Sequence, residues 1–162
     1  MLKDTLKEDM KNALKAGDSN KRTLIGMVLT SMRNKEIEKR TVLAKTVTDT
    51  AELDAKSQLN DEEAMAVIAT EVKRRKDSIA EFEKGGRPEL AASEQAEIEI
   101  LKTYLPEQMS DDALRAAVEK AIASTGATTT KDMGKVMSAV KEETKGAADG
   151  QRISTMVKEI LK

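Results

Sequence analysis

The sequence contains no cysteine and no histidine. Without cysteine there can be no disulfide, no thiolate nucleophile and no Cys-type zinc site. Without histidine the chain lacks the usual proton carrier at neutral pH and the commonest metal ligand. The familiar Ser-His-Asp triad therefore cannot form. We expect a chain that holds no metal or other cofactor, has no catalytic residues and does not act as an enzyme by itself.

Aromatic residues are limited to Phe82 and Tyr104, which argues against platforms that stack nucleic-acid bases. The core must instead be aliphatic, with nine methionines filling irregular gaps. A methionine-rich binding groove is the alternative use of these residues. The N-terminal stretch is amphipathic and contains acids, and no apolar run is long enough to span a bilayer, so we predict a cytoplasmic protein without a membrane partner.

Apolar residues recur at spacings of three and four along most of the chain, which predicts helices. We expect an all-α fold, with a body of four helices over residues 1–105 and a small unit of three helices over residues 106–162. The division is placed at Pro106, because the residue before a proline is driven out of the α region. Residues 41–59 lose the apolar stripe and are rich in Thr and Asp, so they are predicted to form a long, mobile connection.

Local signals mark where these helices begin and end. Gly17 is predicted to end the first helix, and Asp18 or Ser19 to cap the second. Asn60 followed by Glu63 resembles a capping box. Further starts and ends are predicted at Gly85-Gly86, Pro88, Ser110, Gly126 and Asp149. The same spacing assigns three positions to inward helix faces: Leu14, Ile37 and Leu90.

The net charge of −1 hides an uneven distribution of charged residues, which make up 35% of the chain. Residues 1–40 hold ten Lys/Arg and six Asp/Glu. A basic surface of this kind can follow the phosphates of a structured RNA. The RNA-binding candidates on the second helix are Lys21, Arg22, Arg33, Lys35, Lys39 and Arg40. The charge pattern alone favours a simpler interpretation, in which solvated helix faces carry i,i+4 partners such as Glu71 with Arg75.

Arg75 falls on an otherwise apolar helical stripe, where a guanidinium must reach solvent, pair with a carboxylate or face a partner. We predict a structural ion pair in which Glu94 neutralises Arg75 or Arg87. Glu97 and Glu99 lie two residues apart and do not share a helix face, so we expect them to form salt bridges or to be solvated rather than to act in catalysis.

Gly134 lies among the apolar residues of a predicted helix, where glycine costs about 1 kcal/mol relative to alanine. One interpretation, which the inward neighbours favour, is that Gly134 allows close packing against another helix. The other is that the helix begins near Asp132 and that Gly134, flanked by Lys131 and Lys135, allows a phosphate to approach the backbone.

The stretch KRRKDSIAEFEKGGRPELAASEQAEIEILKTYLPEQMS, followed by DMGKVMSAVKEETKGAADG and an amphipathic helix, resembles the YqeY family. This family is the stand-alone counterpart of the C-terminal region of GatB, a component of the glutamyl/aspartyl-tRNA amidotransferase. The resemblance covers the whole chain apart from residues 41–59, and it implies two helical subdomains. It also implies that the chain docks on tRNA while glutamine hydrolysis, ATP use and amidation belong to other domains. Similar modules are appended to glutaminyl-tRNA synthetase in some bacteria.

Three functions follow as hypotheses. The first is a non-catalytic tRNA-binding accessory module that acts as a monomer, with tRNA and a protein of translation or aminoacyl-tRNA metabolism as partners. The second is a helical adaptor that offers a groove near Met133, Met137 and Met156 to another protein. The third, implied by the family resemblance alone, is an amidotransferase-like activity with glutamine as amide donor, exercised only within a larger complex.

Overall fold

The computed structural model describes residues 1–161, which are helical and contain no strand. The helices are α1 (Leu2–Ala16), α2 (Ser19–Leu43), α3 (Thr50–Ser57), α4 (Asp61–Lys84), α5 (Pro88–Lys102), α6 (Asp111–Thr125), α7 (Met133–Thr144) and α8 (Gly150–Ile160). A 3₁₀ turn over Thr130–Asp132 leads into α7. The predicted all-α fold is confirmed. Within residues 1–161 no helix has the length and apolar character needed to cross a bilayer.

The residues divide into two compact units, Met1–Tyr104 with α1 to α5 and the remainder from Leu105 with α6 to α8. In the first unit, the largest fully buried side chains come from four of its helices. They are Leu6 of α1, Leu24, Ile25, Val28 and Met32 of α2, Ile68 of α4, and Ile98 and Leu101 of α5. Burying one such side chain is worth about 1.5–3 kcal/mol, so this aliphatic layer holds α2 against its neighbours.

The second unit has a core of its own between three short helices. Its largest fully buried side chains are Leu114, Val118, Val136 and Ile153. Three methionines, Met133, Met137 and Met156, are partly buried and pack against this core. They fill space within the unit, as the core interpretation of the methionine content expects.

Most helix ends lie where the local signals place them. Gly17 ends α1 in the left-handed conformation with φ 72°, and the Asp18 carboxylate accepts from the Lys21 amide at 2.9 Å to cap α2. Asn60 and Glu63 form the capping box of α4, with reciprocal hydrogen bonds of 2.8 and 2.9 Å. The predicted roles of Pro88, Ser110, Gly126 and Asp149 are confirmed as well.

The prediction of a long, mobile connection over residues 41–59 missed a helix. This stretch contains α3, which is capped by the Asp49 carboxylate accepting from the Glu52 amide at 2.7 Å. Leu53 and Leu59 are buried, so the segment is part of the core, and Met1–Tyr104 contains five helices rather than four. An eight-residue helix with one buried leucine is too short to show a helical period in the sequence.

Three positions assigned to inward faces are exposed: Leu14 at 59%, Ile37 at 50% and Leu90 at 37%. In α2 and α5 the buried residue is an immediate neighbour, Glu36 beside Ile37 and Ala91 beside Leu90. An error of one residue is about 100° around a helix, since one turn takes 3.6 residues. The prediction placed the more apolar of the two neighbours in the core, and it therefore turned the wrong face of the helix inward.

The close-packing interpretation of Gly134 is also wrong. Gly134 is the second residue of α7 and is exposed, and a Cβ added there would have no heavy atom within 4 Å. No contact within the described residues therefore requires glycine at this position. The alternative, that it allows a partner to approach the backbone, stays a prediction.

We predict that Gly134→Ala raises the free energy of unfolding by a few tenths to about 1 kcal/mol, because alanine restricts the unfolded chain and suits a helix. Chemical denaturation of the full chain measures this. The control is Gly126→Ala in the same unit, which should destabilise because Gly126 has φ 65°. A loss of stability in Gly134→Ala would show that this position has a packing role after all.

Candidate nucleic-acid interface

Most of the basic residues predicted to contact RNA lie on α2, the longest helix of the first unit. Residues 19–34 contain three basic side chains and no acidic one, although acids are frequent elsewhere in the chain. The acids of α2, Glu36 and Glu38, follow this stretch. The sequence therefore makes the amino-terminal half of α2 basic and its carboxyl-terminal part mixed.

Two of the six candidates on α2 are engaged within the fold. Lys39 Nζ lies 2.7 Å from Glu63 Oε1 and donates to the Gln58 carbonyl at 3.1 Å. Arg40 forms a salt bridge with Asp54 of α3. Both cations hold α2 against the segments that follow it, which weighs against their use as RNA contacts.

The pairing of Lys39 also fixes the charge state of its partner. The hydrogen bond from Lys39 lowers the pKa of Glu63 below its usual value, against the opposing effect of burial, and the Asn60 amide adds to this lowering. Glu63 is therefore ionised at neutral pH and serves as a cap of α4 and as an anchor for α2.

The other four candidates on α2 differ in their surroundings. Lys35 is paired on the surface with Glu38 at 2.8 Å. Lys21 is half-buried, whereas Arg22 and Arg33 are exposed, and none of these three forms a salt bridge with any described residue. They are the basic side chains of α2 that remain available to an anionic partner.

The candidates in the second unit lie where α7 begins. Lys131 belongs to the 3₁₀ turn and Lys135 to the first turn of α7, and both are exposed, as is Gly134 between them. The Met133 amide, just before Gly134, donates to the Thr130 carbonyl. Two lysines and a glycine are therefore exposed together where α7 begins.

The predicted structural ion pair is part of a larger cluster around Arg75, which is only 6% exposed. The Nε atom of Arg75 donates to Glu97 Oε2 at 2.8 Å, and Nη1 donates to Glu71 Oε2 at 3.0 Å. Glu94 is more distant, with its Oε2 atom 4.0 Å from Arg75 Nε. Arg87 is exposed at the start of α5 and forms no salt bridge within residues 1–161.

This cluster joins three helices. Glu71 also accepts from the Ser31 hydroxyl of α2 at 2.9 Å and from Arg74 Nη1 at 3.1 Å. Burial alone would lower the pKa of Arg75, but its hydrogen bonds to Glu97 and Glu71 outweigh that effect and raise the pKa above its ordinary value. The guanidinium is therefore charged at every pH at which the protein is folded.

A second buried pair, Lys3 with Glu36, was missed by sequence reasoning. Lys3 Nζ lies 2.6 Å from Glu36 Oε1, and the Leu59 amide donates to the same oxygen at 3.3 Å. Burial would raise the pKa of Glu36, but these hydrogen bonds together lower it below the usual value. The available signal was the position of Glu36, four residues after Met32 on the buried stripe of α2.

No group of three acidic side chains within residues 1–161 is placed to hold a metal ion. Several serine and threonine hydroxyls are used within the fold, as Thr30 is with the Gly26 carbonyl at 2.9 Å and Ser31 with Glu71, whereas the buried Thr144 hydroxyl has no hydrogen-bond partner among the described residues. The geometry offers charge and shape to a partner, and it is best described as a candidate binding surface.

Comparison with known proteins identifies the family. A family model described as Yqey-like protein matches residues 3–161. The chain belongs to the YqeY-like protein family. This confirms the resemblance carried by the GRPELA, YLP and GKVM motifs, and it extends over α3 in the stretch that the resemblance left out.

Curated relatives occur in yeasts under the name "Altered inheritance of mitochondria protein 41, mitochondrial". The protein of Vanderwaltozyma polyspora is 35% identical over 101 residues, or 62% of this chain and 46% of the relative. The protein of Kluyveromyces lactis is 38% identical over 100 residues, 61% of this chain and 45% of the relative. The protein of Saccharomyces cerevisiae strain YJM789 is 35% identical over 100 residues, with coverages of 62% and 46%. This chain thus matches less than half the length of these YqeY-like relatives.

We predict that Arg75→Ala lowers the free energy of unfolding by about 3 kcal/mol or more, because it leaves buried carboxylates without their cation. The control Arg87→Ala removes an exposed, unpaired arginine and should change stability by less than about 0.5 kcal/mol. Both values come from denaturant unfolding of the full chain. Equal effects of the two substitutions would contradict the assignment of Arg75 to a structural cluster.

Proposed function

We propose that this YqeY-like chain is a non-catalytic accessory module that binds tRNA. The observation that carries the proposal is the basic half of α2, residues 19–34, which contains Lys21, Arg22 and Arg33 but no acidic residue, and in which these three cations form no salt bridge within the described residues. Such cations favour a polyanion because binding releases the counterions condensed on it.

Family membership gives the direction of the proposal. The family resembles the tail of the amidotransferase component GatB, which engages the body of tRNA while other domains perform the chemistry. A stand-alone chain of this kind would supply RNA docking and leave amidation to a larger complex. Its partners would then be tRNA and a protein of aminoacyl-tRNA metabolism. The predicted cytoplasmic location stays a prediction, and the yeast relatives carry "mitochondrial" in their names.

The adaptor hypothesis has less support. It depended on a groove near Met133, Met137 and Met156, and these side chains are partly buried against the core of the second unit. Exposed Met27 and Ile37 on α2 are the apolar side chains that an adaptor could use instead. They lie on the same helix as the free arginines, so a protein partner would have to be acidic as well as apolar.

We predict that the full chain binds total tRNA about tenfold more tightly than an unstructured RNA of similar length, and that the preference persists at moderate salt. Shape-dependent docking gives a structured RNA fixed phosphate positions that a flexible strand lacks. Fluorescence anisotropy across a salt series measures both affinities. Equal, weak binding of the two RNAs that is lost steeply with salt would mean only nonspecific attraction to phosphate.

Two charge-neutralising variants sharpen this test. Arg33→Gln should weaken tRNA binding and lower the slope of log affinity against log salt by about one, as expected for the loss of one phosphate contact. Lys35→Gln removes the same charge two residues away, but that charge is already paired with Glu38 at 2.8 Å. It should therefore have a smaller effect on both quantities. The reverse order would contradict the assignment of Arg33 to the interface.

A further inference from the structure

The two free arginines of α2 have a fixed relation to each other. Arg22 and Arg33 are eleven residues apart within one uninterrupted helix. Eleven residues are close to three full turns, so the two Cα atoms lie on the same side of the helix, about 16 Å apart along its axis. The helix is rigid over this length. The two guanidinium groups are therefore suited to contacting phosphates on two nucleic-acid strands that are held at a fixed separation.

The surface between these arginines is uncharged. Thr23, Met27 and Thr30 are exposed between them, and Asn34 is exposed immediately after Arg33. Gly26 is half-buried, and a Cβ added to it would meet Met10 Sδ of α1 at 4.0 Å, so this position faces α1. Between Arg22 and Arg33, α2 itself carries no carboxylate that would repel phosphate.

Two polar groups on this surface have free hydrogen-bonding capacity. The Asn34 side chain is exposed and forms no hydrogen bond with any described residue. The Thr30 hydroxyl donates to the Gly26 carbonyl at 2.9 Å, so its oxygen can still accept. An amide and a hydroxyl oxygen are suitable partners for a ribose 2′-hydroxyl, which both donates and accepts.

We infer that this chain engages RNA as a double helix, with residues 22–34 of α2 lying across its minor groove. Arg22 and Arg33 contact phosphates of the two strands that border the groove, and Thr30, between them, and Asn34, next to Arg33, face 2′-hydroxyls. The inference rests on the proposed tRNA-binding function and specifies the part of the RNA that is bound.

The dimensions of nucleic acids favour this mode over two others. A-form RNA has a wide, shallow minor groove that displays its 2′-hydroxyls. The minor groove of B-form DNA is about 6 Å wide, too narrow for a helix about 10–12 Å across. Single-stranded RNA is usually held by aromatic side chains stacked on bases. Here the sole tyrosine, Tyr104, is half-buried and donates to Asp9 at 2.6 Å.

The test compares three fluorescently labelled probes with the full chain: an RNA hairpin with a stem of about 16 base pairs, the DNA hairpin of the same sequence, and a single-stranded RNA. Total tRNA is measured in parallel. We expect the RNA hairpin to bind about tenfold more tightly than the other two probes. Asn34→Ala should weaken binding of the RNA hairpin and leave binding of the DNA hairpin unchanged, because DNA lacks the 2′-hydroxyl.

Charge reversal identifies the surface. The double variant Arg22→Glu/Arg33→Glu should weaken RNA-hairpin binding about tenfold or more and lower the salt slope by about two. The matched control Lys73→Glu/Lys76→Glu makes the same charge change at exposed, unpaired positions of α4. It should change the affinity less than about threefold. Similar losses in the two double variants would overturn the assignment to α2.

The remaining outcomes separate this inference from the proposed function. Tight binding of tRNA without binding of the RNA hairpin would overturn the double-helix mode and leave the proposed function standing. Equal affinity for the RNA and DNA hairpins would overturn the contact with 2′-hydroxyls. Binding of neither tRNA nor the hairpin would overturn both, and an acidic protein helix would then become the expected partner of α2.

Discussion

The packing of the helices in Met1–Tyr104 depends on the pairing of the charged side chains that this unit buries. Arg75 lies among Glu71, Glu97 and Glu94 where α4 meets α5, and Ser31 of α2 completes the cluster. A buried charge costs several kcal/mol when it loses its partner, so arrangements of these helices that separate Arg75 from its carboxylates are disfavoured. The aliphatic core supplies the larger part of the stabilisation, and the buried charges restrict how the helices pair.

The same requirement determines which basic residues face a partner. Lys3, Lys39 and Arg40 each meet a carboxylate from another part of the chain, and in doing so they hold α1, α3 and α4 against α2. Arg22 and Arg33 form no salt bridge within the described residues, although the charge of Arg33 helps to lower the pKa of Glu36. Lys39 and Arg40, in the carboxyl-terminal part of α2, thus hold the fold together, whereas the two arginines in its amino-terminal half remain exposed.

Much of the fold could be predicted because helix signals are local. A capping residue, a left-handed glycine or a proline acts within three or four positions, so Asp18, Gly17 and Pro88 could be assigned from the sequence. The failures concern features that depend on distant contacts. The helix α3 is stabilised by a cap, one buried leucine and a salt bridge to Arg40, and Glu36 is buried because Lys3 reaches it from another helix.

The candidate site was predictable only in composition. The sequence shows that α2 is basic, but it does not show that Lys39 meets Glu63, 24 positions later, or that Arg40 meets Asp54 of α3. Glu94 was chosen as the partner of Arg75 for its place on the apolar stripe, and Glu97 lies closer because the α4–α5 packing brings its carboxylate to Nε. Which cations remain unpaired therefore depends on tertiary contacts, and no local sequence pattern shows which they are.

The most direct test of this account is to record the arginine Nε–H signals of the full chain by NMR while tRNA is added. Each arginine reports its own environment, so structural and exposed guanidinium groups are observed in one experiment. We predict that the signals of Arg22 and Arg33 shift or broaden, whereas those of Arg40 and Arg75 keep their positions. Unchanged signals of Arg22 and Arg33 in the presence of bound tRNA would contradict the division between structural and exposed cations.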